Sequence, residues 1–401
     1  MRRPVYLYLI CIFLLACSDV EFSESDRSVD AIDVHTIDTD LEIINIKVDS
    51  DAFNSFYANP GSGQELPVEL DVFDNDHDLI ESDIMANIKI RGVGSAFYAL
   101  KSFEVILDQS YIQQDFEFVR DEPKLSTHSL SELSNFRLRN SGQDFFNTFL
   151  KDKAYNKLAV ELGLDFESMY GTKTFQVFIN NSYHGLLNAR SESNITGVSN
   201  LIGVDEDQMV MYKVNRFNQN LEFHQGNENL IADLELAIDD FSPSELYELI
   251  DISSFIDYII YEDYIGNFDW PNNNIRMYSQ NGEPFRCVLY DLDLAAFQTK
   301  EVYLPRMEYQ DYDLAKLYQK LRQVTGFDEL LRVRRQEIYD QVSPELFNSI
   351  VDEFAAQIEQ EIHYLIDKYE TPESYFHWLA SLEKLKIDFE ARDSFIRNYY
   401  N

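Results

Sequence analysis

Short stretches of alternating or continuous apolar residues in the first half of the chain predict strands. The longest stretch, residues 175–187, is interrupted by Asn180 and Asn181, and this pair predicts a hairpin turn between two strands. A β-rich first part is therefore expected. The predicted strands are 41–48, 88–90, 102–107, 175–187 (a hairpin) and 209–214.

Apolar residues at helical spacing dominate the later part of the chain. Residues 245–267 predict two helical segments, and Ser253 or Ser254 is the expected N-cap of the second. Ser343 followed by a proline predicts another helix start, and an apolar stripe runs from there to Tyr369. A further helix is expected within 145–163, before Gly163. The start signal recurs at 371–373, so the last hundred residues should be helical.

The loop between Asp269 and Asn274 is the first candidate for chemistry. The two residues stand five apart, with Trp-Pro-Asn-Asn between them. Such a loop can aim a carboxylate at a hydroxyl and an amide oxygen at a metal ion, as the D-x-x-x-x-N loop of protein kinases does. The alternative interpretation is a solvated surface turn.

A second candidate lies shortly after this loop. The apolar run FRCVLY (285–290) predicts a buried strand that delivers Asp291 and Asp293 on one face. Carboxylate and amide oxygens suit Mg²⁺, and phosphate can complete its shell. Cys287 within the run is predicted to be a buried small hydrophobic residue.

A turn that contains Gly92 and Gly94 is a third candidate. Glycines let backbone N–H groups approach phosphate oxygens closely, and Arg91 and Lys101 can supply positive charge. The alternative is a plain glycine hairpin with solvated cations.

The N-terminus has the pattern of an exported lipoprotein. A basic start and a short apolar stretch predict that residues 1–16 are a signal peptide. The sequence LLAC ending at Cys17 resembles the bacterial lipobox, in which the signal is cut before an acylated cysteine; an ordinary signal peptide is the alternative. Stable anchoring takes more than one acyl chain. With Ser18 next, we expect a lipid-anchored protein at the outer membrane or cell surface of a Gram-negative bacterium.

Charge and composition limit the partners. The formal net charge is −38, with 71 acidic and 33 basic side chains, which argues against nucleic acid or an anionic membrane surface. Membrane contact is therefore expected only through the lipid anchor. Residues 17–40 are acidic and poor in large apolar residues, which predicts a flexible tether. No linker rich in proline or glycine divides 41–401.

The order of these motifs resembles the CotH (spore coat protein H) kinase family over roughly 41–401. The family pattern reads approximately RGNSS, KKSF, LRNxxxD, INGxYxGxYxxxE, DxxxHN and DLDxTFG. The chain departs from it at Val93, Gly94 and Asn273, and it has Ala-Ala-Phe-Gln at 295–298 in place of the T-F-G ending. The matching segments are Arg91 to Ser95, Leu100 to Phe103, Leu138 to Asp144, Ile179 to Glu192, Asp269 to Asn274 and Asp291 to Asp293.

The resemblance implies an α+β, atypical protein-kinase-like fold with two lobes and a helical C-terminal extension. It implies a β-rich N-lobe at 41–215, a catalytic and metal-binding segment at 216–305 and a helical tail at 306–401. The implied cofactors are ATP and Mg²⁺ or Mn²⁺. The implied site residues are Asp269 as catalytic carboxylate; Asn274, Asp291 and Asp293 at the metal; Lys101 on the ATP phosphates; and Arg91, Gly92, Ser95 and Glu192 at the nucleotide.

Three functions are compatible with the sequence. The first is an ATP-dependent surface kinase that phosphorylates serine or threonine of an exported protein. The second is a non-catalytic adhesin or scaffold protein that keeps the same fold. The third is a glycosidase that uses Asp269 and Asp291, since two carboxylates roughly 5 to 10 Å apart can cleave a glycosidic bond.

Overall fold

The computed structural model describes residues 34–108, 135–171 and 173–400, and it confirms the α+β class. The predicted signal peptide and Cys17 lie outside the described residues. Among the residues that the structure does describe, no helix combines the length and apolar character needed to cross a membrane.

A closed barrel occupies the first part of the described chain. Its strand order is β1-β2-β3-β4-β5-β8-β7. The first strand closes the barrel, because it pairs antiparallel with β2 and parallel with β7. Alternate side chains fill the interior, as they do in small barrels. The barrel strands are β1 (Ile43–Lys47), β2 (Glu65–Phe73), β3 (Leu79–Arg91), β4 (Ser102–Leu107), β5 (Asn135–Arg139), β7 (Thr174–Ile179) and β8 (Ser182–Arg190).

The predicted hairpin between β7 and β8 is confirmed. Asn180 and Asn181 form its turn with φ values of 51° and 67°, and asparagine tolerates this left-handed conformation better than most residues. The Asn45 side chain of β1 donates to the side-chain oxygen of Asn181 and accepts the backbone N–H of the same residue. The turn therefore helps to hold the closing strand in register.

A second sheet supports the candidate loop. Its order is β10-β9-β11-β12-β6. Strand β9 precedes the predicted N-lobe boundary at 215 and pairs with β11 in this sheet, whereas the barrel ends at Arg190. The strands are β6 (Glu167–Ser168), β9 (Met209–Val214), β10 (Leu221–Gly226), β11 (Arg276–Gln280) and β12 (Arg286–Leu289).

The helices surround both sheets. They are α1 (Ser50–Ala58), α2 (Lys151–Glu161), α3 (Ile195–Ile202), α4 (Leu234–Asp240), α5 (Pro243–Leu249), α6 (Ile252–Ile265), α7 (Leu304–Met307), α8 (Asp313–Leu321), α9 (Phe327–Gln341), α10 (Pro344–Ile358), α11 (Ile362–Tyr369) and α12 (Tyr375–Tyr400).

Helix α6 leads directly into the candidate loop, but its predicted N-cap is wrong. Asp251 caps the helix by accepting a hydrogen bond from the backbone of Ser254. The Ser254 hydroxyl instead accepts the backbone N–H of Cys287 at 3.0 Å, which ties α6 to β12. Cys287 is fully buried, as predicted.

The C-terminal helices pack on both halves of the molecule. Ser343 caps α10 as predicted. The apolar stripe divides between α10 and α11, and at the break the inward carboxylate of Glu361 accepts a hydrogen bond from Gln176 of the barrel at 2.6 Å. The last helix begins later than its predicted signal, at Tyr375, where the Ser374 hydroxyl accepts the N–H of the third residue along.

The packed fold begins before residue 41. Val34 and Ile37 are buried in a cluster with Ile43, Phe178 and Tyr183. The predicted flexible tether is therefore wrong for its last residues, because two well-spaced apolar side chains are enough to seat the segment on the barrel.

Candidate active site

The candidate loop brings three of the predicted residues into contact. Helix α6 ends at Gly266, whose φ of 62° turns the chain out of the helix. Across the loop, the Asn274 amide nitrogen donates hydrogen bonds to Asp269 and to Asp291, both at 3.0 Å. Asn274 and Asp291 have φ values of 55° and 65°, and such backbone strain in non-glycine residues is frequent at functional sites.

Arg139 binds the two aspartates that follow β12. Its guanidinium donates to Asp293 at 2.8 Å and also to Asp291. The prediction that one strand face presents both aspartates is wrong, because β12 ends at Leu289 and both residues lie in the following coil. The arginine, not the pleat of a strand, brings the carboxylates together.

Asp152 of α2 fixes the same coil from behind. It accepts the backbone N–H of Leu292 at 2.7 Å and a hydrogen bond from Arg190 at 2.9 Å. The two arginines and three carboxylates around this coil are largely buried, so each charge depends on its partners. These contacts hold the coil and leave 29% of the Asp291 side-chain surface exposed.

The electrostatics of the centre separate the roles of its carboxylates. Burial, followed by the charge of Asp291, raises the pKa of Asp269. Burial alone would also raise the pKa of Asp291, but Arg139 and Arg190 outweigh burial and lower it. Asp269 is therefore the better proton acceptor, since its pKa is closer to neutrality, and Asp291 is the permanent anion.

A family model described as CotH kinase protein matches residues 88–396. The chain belongs to this family. No curated protein matches the chain.

The CotH glycine segment and the K-S-F segment meet around Asn140. The Asn140 amide donates to the carbonyls of Ser95 and Leu100, at 3.3 and 2.7 Å, and its oxygen accepts from Ser102 at 2.9 Å. The same oxygen accepts the N–H of Gly142. One buried amide therefore links three family motifs that are distant in the sequence.

Gly142 and the next residue connect this group to the metal aspartates. The backbone N–H of Gln143 donates to Asp293 at 2.9 Å. Gly142 has a φ of 58°, and a β-carbon there would collide with the Asp293 carboxylate. Only glycine permits this close approach. Burial and the charge of Asp291 raise the pKa of Asp293, so its backbone and arginine partners are needed to hold a charge.

Two residues assigned to the nucleotide by resemblance are engaged elsewhere. Arg91 donates to the buried Glu104 at 2.6 Å, and Glu192 accepts two hydrogen bonds from Arg137 at 2.5 and 2.7 Å. Each ion pair has a buried carboxylate, and it ties neighbouring strands or their ends together. Gly92 has a φ of 106°, and its missing side chain leaves room for Ser95.

Lys101 lies in an aromatic and carbonyl environment. Its ammonium donates to the Tyr98 carbonyl at 2.9 Å and sits 4.7 Å from the centre of the Tyr57 ring. Among the described residues, no carboxylate forms an ion pair with it, and burial lowers its pKa. A cation whose charge has no buried counterion in the described fold is suited to meet an anionic ligand. It is not a plain solvated cation, since only 7% of its surface is exposed.

The segment after Asp293 folds without the glycine of the family pattern. The left-handed position falls on Ala296, with a φ of 51°, and its N–H donates to the carbonyl of Ile265 at 2.8 Å. Phe297, at the family's glycine position, packs against Phe268 with the rings tilted by 60° and their centres 5.3 Å apart. The loop is therefore closed by contacts with the end of α6.

The donor set fits a hard divalent cation. Asp291, Asp293 and Asn274 offer the carboxylate and amide oxygens that Mg²⁺ prefers, and Arg139 contacts both carboxylates. Asn274 directs its nitrogen at the carboxylates here, and rotation of the amide would present its oxygen. The described residues contain no cluster of three or more histidine, cysteine or acidic side chains suited to a metal.

Sequence reasoning missed Arg139, Asp152 and Arg190. Arg139 stands within the LRN motif of the CotH pattern, so that motif was a signal for it. Asp152 and Arg190 carry no comparable signal, because a charge in a helix or at a strand end is normally solvated. Only the tertiary fold pairs them.

Proposed function

We propose that the protein is an ATP-dependent kinase that transfers a phosphoryl group to a serine or threonine of an exported protein. The single observation that carries the proposal is the Asn274 amide shared between Asp269 and Asp291. The amide joins Asp269, the carboxylate with the raised pKa, to Asp291, the carboxylate with the lowered pKa. This is the D-x-x-x-x-N arrangement of phosphoryl-transfer sites. Family membership supports the kinase over the glycosidase alternative.

In this mechanism each residue of the centre has a separate task. Asp269 accepts the proton of the acceptor hydroxyl as the hydroxyl oxygen bonds to the γ-phosphorus and the bond to the leaving ADP oxygen breaks. Arg139 keeps Asp291 ionised and holds both Asp291 and Asp293 in place. Mg²⁺ or Mn²⁺, held by Asn274, Asp291 and Asp293, would neutralise phosphate charge when bound.

Lys101 and the glycine segment are proposed to receive the triphosphate. Lys101 has the unpaired buried charge described above, and Ser95 and Gly92 lie in the segment that Asn140 links to the centre. Arg91 and Glu192 support this wall through their ion pairs, without touching the nucleotide. The acceptor protein is not specified by these features.

Two substitutions in the centre should fail in different ways. Asp269→Asn should leave nucleotide affinity nearly unchanged and reduce phosphoryl transfer by about 10² to 10⁴-fold, the usual range for general-base assistance. Asp291→Ala should abolish metal-dependent nucleotide binding as well, because an uncompensated triphosphate then meets too little positive charge. Lys101→Ala should weaken binding and transfer together.

The measurements are binding isotherms for ATP with Mg²⁺ or Mn²⁺ and transfer of labelled phosphate to the protein itself or to a serine-rich acceptor. Asp207→Asn is the matched control, because this aspartate is exposed in the short turn directly before β9. A wild-type protein that binds no nucleotide with either metal would refute the kinase proposal. The adhesin or scaffold alternative would then replace it.

A further inference from the structure

A buried acidic side chain lies beneath the candidate loop. Glu262 belongs to the last turns of α6 and exposes 1% of its surface. Within the described fold, neither of its carboxyl oxygens has a hydrogen-bond partner, and the same holds for the Asn267 amide nitrogen, the Trp270 indole nitrogen and the Tyr258 hydroxyl. Four buried polar groups gathered at one place, with one another as their nearest polar neighbours, indicate a shared function, because each is costly to leave unpaired.

These groups are neighbours. Asn267 and Tyr258 are close enough to Glu262 to lower the pKa of its carboxyl group. Trp270 is close enough to Tyr258 to lower the pKa of its hydroxyl group. The Asn267 amide and the Tyr258 hydroxyl therefore face Glu262 as donors, although their contacts are weaker than an ordinary hydrogen bond. The Tyr258 and Trp270 rings meet edge to face with centres 6.4 Å apart.

Asn267 stands between Glu262 and the catalytic aspartate. Its side-chain oxygen accepts the backbone N–H of Asp269 at 3.4 Å, and its buried nitrogen is left for Glu262. The backbone N–H of Trp270 donates to the backbone carbonyl of Asn267 at 3.2 Å and completes the turn. The state of Glu262 therefore reaches Asp269 through one amide.

Burial sets the state of Glu262. An ionised carboxylate without partners is far more costly to bury than the neutral acid. Burial raises the pKa of Glu262 to about 8, and the charges of Asp269 and Asp291 add to this effect. The titratable groups that face it are Tyr258 and Tyr261 from α6, Asp269 from the loop, Cys287 from β12 and Asp291 from the coil after β12. All of these groups are neutral or anionic.

We propose that Glu262 is a positioning residue, a neutral carboxylic acid that holds the 267–270 turn and thereby Asp269. The Asn267 amide and the Tyr258 hydroxyl can donate to Glu262 in either state, whereas only the ionised carboxylate repels the negative charge of Asp269. Ionisation in alkaline solution therefore displaces Asp269 and stops transfer. The transfer part of this inference rests on the proposed kinase function, and the neutral state of Glu262 does not.

Unfolding measurements test the neutral state without any assay of activity. The folded pKa of Glu262 lies above its unfolded value of about 4.3, so its contribution to stability is complete below that value and is lost as pH rises to about 8. Glu262→Gln has the same shape and no ionisation. The melting temperature of the variant minus that of the wild type should increase from pH 5 to 8 and then level off. A difference that stays constant over this range would overturn the neutral state.

Glu262→Met separates charge from hydrogen bonding and also serves if the glutamine variant does not fold. Methionine is neutral and similar in length, so it should show the same pH-dependent gain in melting temperature. It cannot hold Asn267, so transfer should fall at least about 10-fold at every pH. Glutamine can hold Asn267, so its transfer rate at pH 7 should stay within about 3-fold of the wild type. Equal transfer by both variants would overturn the positioning role.

The pH profile of transfer gives the final test. The wild-type rate should fall above about pH 8, and Glu262→Gln should keep its rate there. Lys153 and Lys368, whose pKa values burial lowers to about 7 and about 8, are unchanged in this comparison. An alkaline loss that persists in the glutamine variant would overturn the switch. A protein without transfer activity would refute the kinase proposal, while the unfolding data would still decide the state of Glu262.

Discussion

Arg139 determines how the centre responds to substitution at the scale of single residues. It contacts Asp291 and Asp293 and lies 3.6 Å from Asp152. Removing one partner of a buried ion pair typically costs about 3–5 kcal/mol, because the remaining charges lose their compensation. Substituting Arg139 would therefore damage folding and chemistry together. The aspartates are better probes of mechanism.

Gly142 offers a sharper test of the contact between the LRN motif and the metal aspartates. Gly142→Ala should destabilise the protein by about 1–3 kcal/mol, since it adds a β-carbon at positive φ against the Asp293 carboxylate. It should also weaken metal-dependent nucleotide binding, because Asp293 must move. Chemical denaturation and binding isotherms measure the two effects.

Gly61→Ala is the matched control for this glycine. A β-carbon at Gly61 would meet no atom within 4 Å, so stability should change by less than about 0.5 kcal/mol. Equal effects of the two substitutions would show that the close approach of Gly142 to Asp293 does not matter.

Local chemistry made part of the site predictable from the sequence. Asp269 and Asn274 lie in one loop, and the hairpin at Asn180 and Asn181 follows from two adjacent residues that accept left-handed backbone. Arg139 and Asp291 are in contact but lie 152 positions apart in the chain, and no local pattern encodes their pairing. The same reason explains why Arg91 and Glu192 were assigned to the nucleotide, since their buried partners lie on other strands.

At the scale of elements, α12 fixes the end of the helix that leads to the candidate loop. Arg392 is fully buried, and its guanidinium donates to the carbonyls of Asp263, Tyr264, Thr299 and Glu301. The carbonyls at a helix C-terminus lack partners within the helix, and a cation there is also favoured by the helix dipole. One side chain of the last helix thus joins α6 to the segment after the metal aspartates.

Arg392→Met should therefore destabilise the protein by at least about 2 kcal/mol, because it leaves buried carbonyls without donors. It should lower transfer more than nucleotide binding, since the end of α6 carries the turn that holds Asp269. Arg332→Met is the control, because the Arg332 side chain is 67% exposed and pairs only within its own helix in the described structure. Denaturation curves for the two variants that coincide would contradict the role of Arg392.

Helical periodicity alone could not reveal this role. The pattern after Ser343 correctly predicted helices, and the cap of α10 followed from the sequence. It gave no reason to expect that an arginine near the end of α12 would be buried, because long charged side chains are seldom enclosed. The same holds for Glu361, whose inward carboxylate lies at the break between α10 and α11.

At the scale of the whole molecule, the lipobox pattern predicts how the protein is held at the membrane. Cys17→Ser should move the protein out of the membrane fraction or leave it as an uncleaved precursor, because serine cannot carry the thioether-linked lipid. Fractionation and gel migration measure this outcome. Cys11→Ser is the matched control, since Cys11 lies inside the predicted signal. A Cys17→Ser protein that behaves like the control would refute the lipid anchor.

The parallel pairing of β1 with β7 also sets the order in which the chain can fold. Ile43 forms its pair with Gln176, so the strand that is synthesised early must wait for a partner that emerges much later. Contacts between such distant segments slow folding, because the loop between them must first be closed. Until then, β1 presents an unpaired edge that other chains can join. We therefore expect a barrel that closes late, with an early strand that needs protection from association while the rest of the chain is being made.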